Sequence, residues 1–319
     1  MPDHGNGARR GVGAAVDRRW WKAGRRVGVV AVGLVGLVWL ASTALGAVVQ
    51  IPVLTSPRDE TQAAASDAFL AWSQNSAAHP HLYNAWAKPS GGGARFRVNH
   101  VSTQGFMGGI DGNTLVYQQL KGNQSNIKLF NLVTHVRSNP PAGVDTPAWE
   151  FHPTLSGSWM LFGRYRSSTN RDKAILFNMS TRQLIVLADR PGANQTVVPG
   201  QVNGNFAVWQ QCTATACNVW EYDIAAATKT RLPNTTPGKY NYAPSVDSTG
   251  TTYFAHSGKS CGASIEKRPI GGPTSTVVAL RGRDVSHSYL ATIAGQSNLI
   301  FAKFNCRTRS DDIYKIISP

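Results

Sequence analysis

The stretch Ser156-Gly157-Ser158-Trp159-Met160-Leu161-Phe162 reads as a polar, glycine-bearing turn feeding an apolar strand that closes on an aromatic side chain. Short apolar and aromatic runs cut by Gly, Ser, Asn and Pro are the signature of strands. The same pattern recurs on both sides. Phe69-Leu70-Ala71-Trp72 and Leu115-Val116-Tyr117 precede it; Phe206-Ala207-Val208-Trp209, Thr252-Tyr253-Phe254 and Leu299-Ile300-Phe301 follow. The closing residues Trp72, Tyr117, Phe162, Trp209, Phe254 and Phe301 lie 45, 45, 47, 45 and 47 residues apart. A period of that length marks a repeat architecture, in which each unit buries its faces only by stacking on its neighbours.

Each copy continues in one way. A second strand follows the aromatic one, as in Ala174-Ile175-Leu176-Phe177 and Asn218-Val219-Trp220-Glu221-Tyr222. A tight turn such as Ile270-Gly271-Gly272-Pro273 leads to a third, as in Thr276-Val277-Val278-Ala279-Leu280. With the stretch upstream of each aromatic strand, this makes four strands per copy, the pattern of a propeller blade. No sustained helical period appears after residue 60. The expected fold is all-β: a six-bladed β-propeller of four-stranded blades over residues 50–319. The sixth copy reaches Ile316-Ile317-Ser318-Pro319 without an outer strand. Residues 50–58, with the apolar stretch Val49-Gln50-Ile51-Pro52-Val53-Leu54 at their start, are expected to supply it, since an outermost strand tolerates Pro52.

The third copy also carries Pro147-Ala148-Trp149-Glu150-Phe151-His152-Pro153, and the fifth reads Ala243-Pro244-Ser245-Val246-Asp247-Ser248-Thr249-Gly250. This resembles the TolB-type propeller repeat: Pro-x-x-Ser-Pro-Asp-Gly, an apolar strand ending in an aromatic, then an Ile-Tyr-like strand. The resemblance covers roughly residues 60–317. Its Ser-Pro-Asp-Gly turn survives only as Asp111-Gly112, Ser156-Gly157 and Asp247-x-x-Gly250. The resemblance implies non-catalytic protein binding in a bacterial cell envelope.

The N-terminus points to export. Residues 1–26 hold seven Lys and Arg against Asp3 and Asp17. Residues 27–49 carry no charge, and about 20 apolar residues span a bilayer's hydrocarbon core. The basic flank would stay in the cytoplasm and the bulk of the chain would cross. Two fates follow: a retained transmembrane anchor, or a signal peptide cleaved after Ala44-Leu45-Gly46. The chain is thus expected on the outer side of the membrane, anchored or secreted.

Cys212, Cys217, Cys261 and Cys306 all lie beyond that segment, where disulfides persist. By their places in the repeat, all four fall in the loop after an aromatic strand and so on one face of the ring. The expected bonds are Cys212–Cys217 within a hairpin and Cys261–Cys306 between neighbouring blades. A four-thiolate zinc site would need short paired spacings that this chain lacks.

The formal net charge is +15, with 15% charged residues. After residue 26 the basic residues form no run, so nucleic acid is not the expected partner. An anionic cell-wall polymer or glycan remains compatible. The repeat fills the chain and leaves no room for an α/β-hydrolase domain. Ser245-x-Asp247-x-x-Gly250 is similar to the Asp-box turn of sialidases, with an extra residue. The histidines His79, His81, His100, His135, His152, His256 and His287 are scattered. No catalytic residue, metal ligand or cofactor emerges. The expected function is a cell-envelope scaffold for protein–protein interaction. The alternative is a carbohydrate-binding or glycan-cleaving propeller, sialidase- or lyase-like. The side chains in the central channel separate the two.

Overall fold

The computed structural model describes residues 48–191, 195–234, 239–258 and 261–319. The basic arm 1–26 and the segment 27–49, Val48 and Val49 excepted, lie outside them. Among the described residues no helix is long and apolar enough to cross a membrane.

Six four-stranded antiparallel sheets form the ring. Blades one to five take 60–97, 104–138, 149–191, 195–231 and 240–280; blade six takes 283–317 together with Ile51–Leu54. Within each blade the strands run in sequence order from the channel outwards. The exception is the outermost strand of blade six, Ile51–Leu54, which pairs antiparallel with Ser310–Ile317. Pro52 lies opposite Tyr314 there, on a strand with only one neighbour. Lys303 Nζ donates to Gln50 Oε1 at 3.0 Å, and Asp311 N donates to Asp59 Oδ1 at 2.7 Å, so the join is held at both ends.

The repeat's aromatic residue sits in the second strand of every blade. Tyr117, Phe162, Trp209 and Phe301 are fully buried, and Trp72 and Phe254 nearly so. Stacking these apolar faces is the main drive for closing the ring, at about 25 cal/mol per Å² of apolar surface buried. The aromatic does not end its strand: Phe69–Asn75 runs on beyond Trp72, and Gln296–Asn305 beyond Phe301. The polar tails pair with the third strand all the way to the hairpin, because edge N–H and C=O groups there would otherwise lack partners.

Antiparallel order fixes two faces. The turns between first and second strands, and between third and fourth, lie on one, called the turn face below. The loops between second and third strands, and the connections between blades, lie on the other. On the turn face the remnants of the repeat's turn tie blade to blade. Gly157 N donates to Asp111 Oδ2 at 2.6 Å, Gly204 N to Ser156 Oγ at 3.1 Å, and Ala294 N to Asp67 Oδ1 at 2.6 Å. Asp111 and Ser156 thus keep a structural task although the full motif is gone.

Candidate functional site

The six innermost strands each carry a register shift at mid-height. Such bulges re-aim side chains, and here they close the channel. Hydrogen bonds between blades that are not neighbours must cross it. Gln201 of blade four accepts from Leu290 N of blade six at 2.8 Å and donates to Leu290 O at 2.7 Å. Tyr289 of blade six donates to Ile110 O of blade two at 2.8 Å and accepts from Ile110 N at 3.2 Å. His152 and His287, on opposite blades three and six, face each other with ring centroids 6.4 Å apart. Burial lowers His287 to about 3 and His152 to about 4, so both rings are neutral at pH 7. His287 Nδ1 is buried without a hydrogen-bond partner.

The inner strands approach too closely for side chains at two points. A Cβ on Gly108 would lie 1.9 Å from the Pro153 carbonyl oxygen, and one on Gly200 2.2 Å from that of Pro244. Neutral groups therefore bridge the mid-channel. No three His, Cys, Asp or Glu side chains converge to hold a metal among the described residues.

The face opposite the turns carries the four cysteines: Cys212 and Cys217 at the facing ends of strands Phe206–Thr213 and Cys217–Asp223, and Cys261 and Cys306 in the loops that follow second strands. The structure joins Cys212 to Cys217 across one hairpin and Cys261 to Cys306 between blades five and six. Such closures contribute about 2–4 kcal/mol each. Gly258-Lys259-Ser260-Cys261-Gly262 has the spacing of a serine nucleophile elbow, against the expectation that this chain holds none. That elbow needs a strand-to-helix turn. Here the spacing spans a loop between strands Thr252–Ser257 and Ala263–Arg268, and Cys261 is in a disulfide. Lys259 and Ser260 lie outside the described residues.

Four carboxylates gather on the cysteine side of the seam between blades six and one. Tyr83 donates to Asp59, Tyr242 to Asp284, and Ser286 Oγ to Asp311 Oδ1 at 2.9 Å. Burial, reinforced by the Asp59 charge, pushes Asp311 up to about 8. Burial raises Asp312 as well. Nothing in the sequence spacing signals this cluster, because its members come from both ends of the repeat array.

Two grooves open between blades. One, of about 250 Å³, is lined by Glu221, Thr230, Leu232 and Arg268, among others. The other, of about 300 Å³, lies at the seam against Leu54, Glu60, Trp72, Gln74, Lys88 and Arg95. Glu60 is 1% exposed, its Oε2 has no partner, and burial raises its carboxyl. The tryptophans mostly serve the core. Trp209 stacks on Trp220 at 6.3 Å, and Arg95 covers Trp86 at 4.4 Å.

No family model matches the chain, and no curated protein matches it. Solved structures do. TolB from Acinetobacter baumannii matches with a TM-score of 0.52 at 14% identity over 79% of this chain, which spans 64% of that protein's length. A putative TolB from Agrobacterium tumefaciens matches with a TM-score of 0.56 at 11% identity over 83% of this chain and 92% of the other. An oligogalacturonate lyase from Vibrio parahaemolyticus matches with a TM-score of 0.50 at 10% identity over 84% of each chain. At such identities the likeness is one of architecture, and it agrees with the six-bladed propeller fold of this chain.

Proposed function

We propose that the chain is a non-catalytic binding scaffold of the bacterial cell envelope. The observation that carries this reading is the bridged channel: the neutral side chains of Gln201 on blade four and Tyr289 on blade six hydrogen-bond across the axis to the main chain of blades six and two. The likeness to the TolB structures supports protein–protein interaction in general terms. Two disulfides fit an exported protein. The uncharged segment 27–49 behind a basic arm fits an anchor or an export signal. The loops of the cysteine face are the surface offered to a protein partner. Crosslinking the intact chain in envelope extracts, followed by mass spectrometry, should recover a partner through that face. Recovery of none, or crosslinks scattered over both faces, would count against the scaffold.

A second reading is a carbohydrate-binding or glycan-cleaving propeller. It is favoured by the seam groove, where the unpartnered Glu60 Oε2 lies beside Trp72, Lys88 and Arg95, and by the architectural likeness to a lyase. An anionic cell-wall polymer suits those cations. A glycan array and a panel of polysaccharide substrates, both blank, would remove it.

A further inference from the structure

Hairpin turns are ordinarily built from Gly, Asn, Asp and Pro, yet the turn face carries large aliphatic side chains in its turns, at Val133 and Ile270, and at the strand ends beside them, at Val136 and Leu184. Val133 and Val136 on blade two are 61% and 59% exposed, Leu184 on blade three 42%, and Ile270 on blade five 53%. Val49 and Ile317, at the join of blade six, add 71% and 39% to the same face. Of the other large apolar side chains exposed among the described residues, Val48 precedes Val49 in the chain, Val101 belongs to the cysteine face, and Val186 lies on the outer rim. Single exposed aliphatics need no explanation; a face that collects them does.

The chain's course supplies the occupant. Ile51 opens the outermost strand of blade six opposite Lys315, near the end of Ser310–Ile317, so the chain enters the ring on the turn face. The uncharged run 27–49 ends at Val49, and only Gln50 separates it from that strand. One residue reaches at most about 3.6 Å, so a spanning segment leaves the ring no linker on which to stand off. The polar groups of this face are compatible with lipid headgroups. Asp67 and Asp111 are committed to backbone N–H groups, whereas Arg182 is exposed. Basic side chains are attracted to an anionic leaflet.

We infer that the turn face rests on the lipid bilayer, its exposed aliphatic side chains in the headgroup region, and that the cysteine face points away from the membrane. This deepens the scaffold reading, on which it rests for the location of the chain. It would leave the loops holding the disulfides as the surface open to partners.

The test uses the full chain with both disulfides formed, in nanodiscs of phosphatidylglycerol and phosphatidylcholine. Single nitroxide labels are placed through Val136→Cys, Leu184→Cys and Ile270→Cys, with Ser168→Cys on the opposite face as the reference. The readout is collision with an aqueous nickel chelate against collision with oxygen. On moving from detergent to nanodisc, chelate accessibility should fall several-fold at 136, 184 and 270 and stay level at 168. The inference is overturned if the three labels track position 168. It is also overturned if the intact mass of membrane-purified chain shows residues 27–49 removed. Neither readout involves a protein partner, so the scaffold could fail its crosslinking test while this orientation held, and the reverse.

Discussion

Blades one and three bury the same glutamate and treat it differently. Each blade opens with a hydroxyl four residues before the acid: Ser56 donates to Glu60 Oε1, and Thr146 Oγ1 to Glu150 Oε1 at 2.6 Å. In each, the residue two beyond the core aromatic reaches the same oxygen. In blade three that residue is Arg164, whose Nε lies 3.0 Å from Glu150 and whose Nη2 also donates to the carbonyls of Gly143 and Val144 at 2.8 Å. In blade one it is Gln74, at 2.8 Å, which accepts from Arg95 in turn. Glu150 is therefore sealed by a direct cation, while Glu60 has a neutral amide and an open groove. In both residues Oε2 is buried without a partner, so what separates them is the countercharge at Oε1 and the groove beside Glu60. Burial raises both carboxyls, Glu150 to about 7 against the pull of Thr146 and Arg164.

The comparison breaks most sharply at Arg164. Arg164→Met leaves Glu150 buried with no countercharge and frees two carbonyls, and should cost about 3–5 kcal/mol, read from the midpoint of chemical denaturation. Cys261→Ser with Cys306→Ser should cost about 2–4 kcal/mol, and protease nicking should then begin near the seam rather than at blade three. Gln74→Met removes a neutral bond to Glu60 and should cost about 1–3 kcal/mol. Equal losses for Gln74→Met and Arg164→Met would mean that the two glutamates do not differ in the way described.

Acid titration sharpens the contrast at smaller cost. His287 has a folded pKa of about 3 against an ordinary 6.5. Its contribution is therefore present above pH 6.5 and lost as pH falls from there towards 3. Between pH 6.5 and 5.5 the loss should be about 1 kcal/mol, and His287→Leu should remove that share of the slope in thermal unfolding while His152 keeps a similar one. Asp311 at the seam has the opposite sign. Its folded value, about 8, lies above its ordinary 3.8, so its contribution is full below pH 3.8 and lost as pH rises through 8. Asp311→Asn should therefore gain on the parent chain as pH rises from 5 to 9; parallel profiles would show that Asp311 is not buried as described.

Much of this was legible in the residues. The aromatic spacing marks the blades because each aromatic must sit at one depth of one sheet, and a repeated depth enforces a repeated interval. The cysteines could be paired because loop position in a repeat fixes which face a side chain reaches. The Glu60–Glu150 parallel was also open to view as Ser-x-x-x-Glu and Thr-x-x-x-Glu, but their partners Gln74 and Arg164 become comparable only once the blades are superposed. The Gly-x-Ser-x-Gly spacing at 258–262 shows the converse: a chemical motif written in sequence has no force without its strand-to-helix context.

The sequence by itself determined the all-β class, the blade interval, the number of blades and the face that holds the cysteines, since all of these follow from periodicity within about 47 residues. Only the tertiary structure decided what fills the channel and where the acids gather. Gln201 meets Leu290 across 89 residues, and Tyr289 meets Ile110 across 179. Contacts at such separations are set by how six sheets converge on one axis, and no local pattern of residue types encodes the depth at which their inner strands bulge.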